Sequence, residues 1–150
     1  MNSYTIKVIT KSNVNKNKRL IKLYKSNIEE CFKISDLDNK VYVSDALFSS
    51  LEIFALLNKD KSIAASCILE YNKKYNTCEI HEVCVNIKYQ GQGLCGQLLQ
   101  SALLYLGDRH VFHAQIYCMD KNKPALKCYS KLFTDHHKVL GIYHSFVKFL

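Results

Sequence analysis

The sequence predicts one domain of the mixed α/β, or α+β, class: a central sheet of mostly antiparallel strands flanked by helices, in the order βααβββαβαβ with room for one more closing strand. Three apolar segments between residues 51 and 86 follow one another across short polar turns, as an antiparallel meander requires. Two longer stretches, one on each side of the meander, repeat apolar residues every three or four positions, as amphipathic helices do. The 150 residues suit a single core, and no repeat, linker or low-complexity tract divides residues 1–150.

Tyr4, Ile6, Val8 and Thr10 alternate with Thr5, Lys7 and Ile9, which predicts a first strand, and the polar run Lys11 to Lys18 ends it. From Lys18 to Ile34, the residues Leu20, Ile21, Leu23, Tyr24, Ile28, Cys31 and Phe32 form one helical stripe. Ser35 to Lys40 is a polar break. Ser44 then caps a short predicted helix reaching Leu51, its hydroxyl accepting from an early backbone N–H. Leu51–Leu57, Ser62–Tyr71 and Thr77–Asn86 are the meander strands, joined by Asn58-Lys59-Asp60-Lys61 and Asn72-Lys73-Lys74-Tyr75-Asn76. Gly93 to Leu106 carries Leu94, Leu98, Leu99, Ala102, Leu103 and Leu106 on one face and stops before Gly107. His110–Cys118 reads as a strand, Pro124–Leu132 as a short helix with proline in its first turn, and Lys138–Leu150 as one or two closing strands.

Composition narrows the function classes. Hydrophobic residues make up 48% and charged residues 23%, as in a globular protein, and no apolar run approaches the roughly 20 residues that span a bilayer. Met1 to Lys11 alternates where an export signal would be continuously apolar, so a soluble, cytoplasmic protein is expected. Seven cysteines (Cys31, Cys67, Cys78, Cys84, Cys95, Cys118, Cys128) form an odd set without a Cys-x-x-Cys pair. The expectation is buried thiols in a reducing compartment, with neither a disulfide framework nor a zinc ribbon. The net charge of +8 suits an anionic partner, but it is spread along the chain, comes almost wholly from lysine and lacks an aromatic-basic nucleic-acid signature. His136, His137 and His144 have no cysteine or carboxylate at ligand spacing, so no metal is predicted.

The most informative stretch is Tyr89-Gln90-Gly91-Gln92-Gly93-Leu94-Cys95-Gly96. Gly91 and Gly93 lie between a predicted strand and a predicted helix, where bare backbone can approach a ligand and the N–H groups opening the helix point at an anion. Pyrophosphate fits such a place. The stretch resembles the principal coenzyme A-binding motif of the GNAT acetyltransferase superfamily: Arg or Gln, two residues, Gly, one residue, then Gly or Ala. Gln90, Gly93 and Cys95 hold those positions; Cys95 departs from the pattern, and its larger side chain predicts weaker phosphate binding. Asn122-Lys123-Pro124-Ala125-Leu126-Lys127-Cys128-Tyr129, followed by Leu132-Phe133, is similar to the family's later Asn-x-x-Ala-x-x-x-Tyr motif, with Leu132 where glycine is usual. Both motifs stand in the family's order with one helix and one strand between them.

The resemblance implies the single-domain GNAT fold and acetyl-coenzyme A as co-substrate, with no metal. It implies cofactor contacts at Val83, Cys84 and Val85, whose strand would pair with the pantetheine arm, at Gln90, Gly91, Gln92, Gly93, Leu94, Cys95 and Gly96, and at Asn122, Ala125 and Tyr129. Lys121 and Lys123 read as surface lysines or as further phosphate contacts. Closing strands in the family often pack across dimers, which leaves a homodimer open, although the sequence itself does not set the oligomeric state.

Acyl transfer to an amine needs a neutral amine, a polarised thioester carbonyl and a proton for the departing thiolate. Tyr129 would supply that proton, since a phenol has a reference pKa near 10. Alternation along the strand Thr77–Asn86 sets Glu79, His81, Val83 and Val85 on one face, so Glu79 and His81 are neighbours suited to taking a proton from the amine. Glu82 is the reserve base. Residues 85–94 resemble the glucosamine-6-phosphate acetyltransferase loop, which implies an amino sugar phosphate such as glucosamine 6-phosphate whose amine attacks the thioester directly in a ternary complex; no sequence feature gives Cys84 an activating base for an acetyl-cysteine route. The alternatives are a protein lysine or N-terminus, a polyamine, or a coenzyme A-binding module without catalysis.

Overall fold

In the computed structural model, residues 3–32 and 50–150 are described. Seven strands hydrogen-bond in the order β1-β2-β3-β4-β5-β7-β6. They are β1 (Thr5–Ile9), β2 (Leu51–Leu57), β3 (Ile63–Asn72), β4 (Thr77–Val85), β5 (His113–Met119), β6 (His136–Leu140) and β7 (Tyr143–Phe149). Among the described residues the α-helices are α1 (Lys18–Cys31), α2 (Leu94–Asp108) and α3 (Lys123–Leu132). None of them is long and apolar enough to cross a membrane. This is the mixed, mostly antiparallel sheet with flanking helices that the sequence predicts. The expected helix from Ser44 lies outside the described residues except at its end, where Ser50 is in a turn and Leu51 opens β2.

The described chain divides into two compact units. The first comprises the residues up to Ile68 together with Glu82–Leu94, and the second comprises Leu69–His81 together with Cys95–Leu150. In the first, β1 pairs antiparallel with β2, Thr5 opposite Leu57 and Ile9 opposite Ile53. All seven residues of β2 and the first seven of β3 are buried, as in strands covered on both faces, and each run is apolar but for one residue, Glu52 and Ser66. Tyr24 and Ile28, one turn apart on α1, are buried in the same core as Ile9, Ile53, Leu57, Ile68 and Cys84. Cys31 ends α1 beside that core and is disulfide-bonded to Cys84, with Cα atoms 6.1 Å apart. This corrects the expectation of thiols without a bridge: the partners are 53 residues apart in sequence, and only the packing of α1 brings them together.

In the second unit β4 pairs parallel with β5, Thr77 opposite His113 through Ile80 opposite Ile116, which requires the crossover that α2 provides. β5, β7 and β6 continue antiparallel, and β6–β7 is a tight hairpin with Leu140 opposite Tyr143 and Gly141 at φ +63°. α2 runs past the expected stop at Gly107. Its end is set by His110, at φ +62°, with the His110 N–H donating to the Gly107 carbonyl and the Val111 N–H to the Leu106 carbonyl. That pair of bonds is the Schellman arrangement with histidine in the left-handed position that usually takes glycine. β5 therefore begins at His113, later than the alternation from His110 implies.

Candidate active site

β4 changes character part-way along. Its parallel register with β5 runs from Thr77 to Ile80. Two residues later Glu82 adopts φ +52°, a left-handed conformation unusual for a non-glycine residue. The Glu82 carboxylate accepts a hydrogen bond from the Tyr24 hydroxyl at 2.6 Å, which ties this kinked residue to α1. Glu82, the reserve base, thus serves a hydrogen bond to the helix.

Beyond the kink, Cys84 is buried and bridged to Cys31, while Val83 and Val85 are partly exposed. The Asn86 N–H donates to the Ala64 carbonyl of β3, and the Asn86 side chain accepts from the Lys88 N–H, starting a short 3-10 turn over Ile87–Tyr89. Gln90 folds back, its Nε2 donating to the Val85 carbonyl at 3.2 Å. The motif's glutamine therefore braces the strand end against the loop.

Gly91 and Gly93 follow at φ +81° and +76°, and Leu94 opens α2. A Cβ at either glycine would meet nothing within 4 Å, so the requirement there is handedness and not space. Gly91, Gln92 and Gly93 are exposed, Leu94 is buried, and Cys95 and Gly96 are partly exposed. The first turn of α2 carries no acidic side chain to answer its orphan N–H groups. An exposed helix start of that kind, entered through two left-handed glycines, is suited to a phosphate.

The second unit holds the titratable cluster. His81, 24% exposed, lies with Nε2 2.7 Å from Glu70 Oε2 and 3.7 Å from Glu79 Oε1. The predicted neighbours Glu79 and His81 are together, but the closer carboxylate is Glu70 of β3, which alternation along β4 does not reveal. Pairing Asn72 with Thr77 across their turn would have set Glu70 opposite Glu79, a signal available in the sequence. Two carboxylates in that relation repel unless something sits between them, and the imidazole does. The donor atoms of Glu70, Glu79 and His81 lie within 4.8 Å of one another, close enough to share one proton or one cation.

Tyr129 is on α3 and only 6% exposed, its ring edge-on to Phe133 and Phe146 at centroid distances of 6.4 and 6.2 Å. Asn122 is the N-cap of α3, its side chain accepting from the Ala125 N–H at 3.3 Å, with Pro124 in the first turn. The Asn-x-x-Ala spacing is therefore a helix-capping device, whatever else those residues hold. Leu132 is the last residue of α3, and Phe133 closes the helix at φ −104°, so no left-handed glycine is called for there. Elsewhere in the unit, His144 hydrogen-bonds His137 (2.7 Å) and Asp120 (2.9 Å), and this bond to His144 lowers the Asp120 carboxyl below its ordinary value. His81 and Tyr129 fall in the second unit, and Val83 through Leu94 in the first.

Residues 17–133 match the family model described as the acetyltransferase (GNAT) family. The chain belongs to that family. It is an acetyl-coenzyme A-dependent N-acetyltransferase, with acetyl-coenzyme A as its co-substrate. Solved structures share the fold of this acetyltransferase at low identity. The PaiA N-acetyltransferase of Thermoplasma acidophilum, solved with coenzyme A, is 12% identical with a TM-score of 0.67, over 99% of both chains. GCN5 of Tetrahymena is 14% identical with a TM-score of 0.72 over 95% of both chains. The ribosomal-protein-S18-alanine N-acetyltransferase of Escherichia coli is 17% identical with a TM-score of 0.69, over 97% of this chain and 91% of its own. No curated protein sequence matches the acetyltransferase.

Proposed function

We propose that the acetyltransferase moves the acetyl group to a primary amine by direct attack in a ternary complex, with His81 as the base. The observation that carries this reading is the imidazole held between Glu70 and Glu79 on the strand that leads into the glycine loop. Bound acetyl-coenzyme A supplies the activated acetyl group. The backbone amides at Gly91, Gly93, Cys95 and Gly96, with Gln92 and Leu94 in the same stretch, hold its pyrophosphate, and Asn122 and Ala125 are further cofactor contacts in this reading. The backbone of Val83, Cys84 and Val85 receives the pantetheine arm, and an N–H there polarises the thioester carbonyl. His81 takes the proton of the incoming ammonium, while Glu70 and Glu79 stabilise the imidazolium. The Tyr129 hydroxyl returns a proton to the leaving thiolate.

Two readings of the acceptor each have an observation behind them. The loop at residues 85–94 supports an amino sugar phosphate such as glucosamine 6-phosphate. The two carboxylates flanking His81 favour instead an acceptor whose amine stands away from any anion: a protein lysine or N-terminus, or a polyamine. Released coenzyme A, followed with glucosamine 6-phosphate, a lysine peptide, a free N-terminal peptide and spermidine, separates them by kcat/KM. Binding of acetyl-coenzyme A with no turnover on any of the four would reduce the protein to a binding module. The five cysteines that remain thiols support a cytoplasmic setting, in which Cys31–Cys84 is the oxidised exception. The outer edge of β6, all five residues exposed, supports a homodimer, which analytical ultracentrifugation tests.

A further inference from the structure

Within the second unit, the turn between β3 and β4 is tied to the chain leaving α2. The Phe112 N–H donates to the Asn76 carbonyl at 2.9 Å, and Asn76 Nδ2 donates to the His110 carbonyl at 2.6 Å. Asn76 and His110 are both left-handed, at φ +53° and +62°, the conformation of tight reversals. Around this joint the fold gathers aromatic rings and cations. The Arg109 guanidinium lies over the rings of Tyr71 and Tyr105, 5.4 and 5.1 Å from their centroids, and donates to the Tyr105 hydroxyl. Lys74 Nζ lies 5.2 Å from the centre of the Tyr75 ring, which is 59% exposed. Phe112 is 68% exposed, and Lys73 is exposed in the same turn as Tyr75. Against these cations stands Asp108, exposed at the end of α2.

We propose that this surface binds single-stranded nucleic acid. Exposed rings are platforms on which unpaired bases stack, and cations beside them meet the phosphates. With Lys74 against the ring of Tyr75, one residue of each kind is already paired for that purpose. Arg109, held flat by two tyrosines, presents a planar fork of donors that suits a phosphate. A duplex keeps its bases stacked on one another and gains only from the charge, while an acidic polypeptide answers the cations and not the rings. The net charge of +8 draws a polyanion to the protein. The sequence shows no such signature because Tyr105, Arg109 and Phe112 come from a segment joined to the turn across 34 residues. Cys95, in the first turn of α2, and Arg109, just past its end, are about 20 Å apart along the helix, so the surface is separate from the helix start.

The test is fluorescence anisotropy of a labelled single-stranded RNA of about 12 nucleotides with the full chain at low salt. Single-stranded DNA of the same sequence, the RNA duplex and polyglutamate are the comparison arms. The expected result is saturable binding of a single strand, at least about tenfold tighter than of the duplex or polyglutamate. Three phosphate contacts, at Lys73, Lys74 and Arg109, should give a slope of log affinity against log salt of about −2. Arg109→Gln should reduce that slope by about 0.7. Tyr75→Ala and Phe112→Ala should each weaken binding by about tenfold, with the thermal midpoint and acetyl-coenzyme A affinity as in the wild type, and Tyr75→Trp should keep it. Tighter binding of RNA than of DNA would add reading of the 2′-hydroxyl, and equal binding would assign the surface to either strand. Should Phe112→Ala fail to fold, Tyr75→Ala, in an exposed turn, decides alone. No saturable binding, duplex or polyglutamate bound as tightly as the single strand, or single-strand binding unchanged in the ring variants overturns the proposal.

Discussion

His81 gains its second carboxylate from the neighbouring strand, and this geometry assigns unequal weights to the two glutamates. Glu70 lies 2.7 Å from Nε2 and Glu79 3.7 Å, so the Coulombic attraction for an imidazolium is stronger at Glu70. His81→Ala is expected to lower kcat by about 10²- to 10⁴-fold and to abolish the acidic limb of the pH profile. Glu70→Gln should lower kcat by about tenfold and displace that limb with KM for acetyl-coenzyme A unchanged. An unshifted limb in both variants would exclude the imidazole as base. Single residues were the least legible scale in the sequence. Glu79 and His81 follow from alternation along one strand, but Glu70 requires the register of the next strand, and Cys31–Cys84 requires knowing how a helix packs.

At the scale of elements the sequence was far more informative, because strands and helices announce themselves by period. All three meander strands stand within a residue of their predicted limits, and α3 begins one residue early. Misplaced ends trace to backbone conformations that composition does not advertise: His110 and not Gly107 terminates α2. The glycine loop is the case where composition and backbone agree. At Gly93 an alanine would have open space but a left-handed backbone, so Gly93→Ala should cost about 1–2 kcal/mol through conformation alone. Acetyl-coenzyme A affinity should fall while the thermal midpoint moves by only a few degrees. Conversely, His110→Gly relieves a non-glycine left-handed residue and is expected to raise stability by about 1 kcal/mol. An unchanged thermal midpoint in His110→Gly would show that histidine carries no strain at that helix end.

Across the whole molecule, two kinds of constraint act on unfolding. The electrostatic one is seen at Asp120 and Asp60, whose carboxyls are held below the ordinary value chiefly by hydrogen bonds to His144 and Ser62. Groups with a depressed folded pKa stabilise the fold above the unfolded carboxylate value, near pH 4, and lose that contribution as pH falls through the folded value. Asp120→Asn should therefore flatten the loss of stability below about pH 4. The covalent constraint is larger. Joining Cys31 to Cys84 across 53 residues removes chain entropy from the unfolded state on the order of 4 kcal/mol. Because β3 and β4 pass unbroken through both compact units, we expect one cooperative transition, with near- and far-ultraviolet dichroism coincident in urea. Dithiothreitol should then lower the unfolding free energy by about 2–4 kcal/mol without splitting that transition. Cys31→Ser should match the reduced wild type and show no further response to reductant. A wild-type midpoint indifferent to dithiothreitol would mean that the bridge adds nothing to the fold in solution. Separate transitions for the two probes would mean that the units unfold independently.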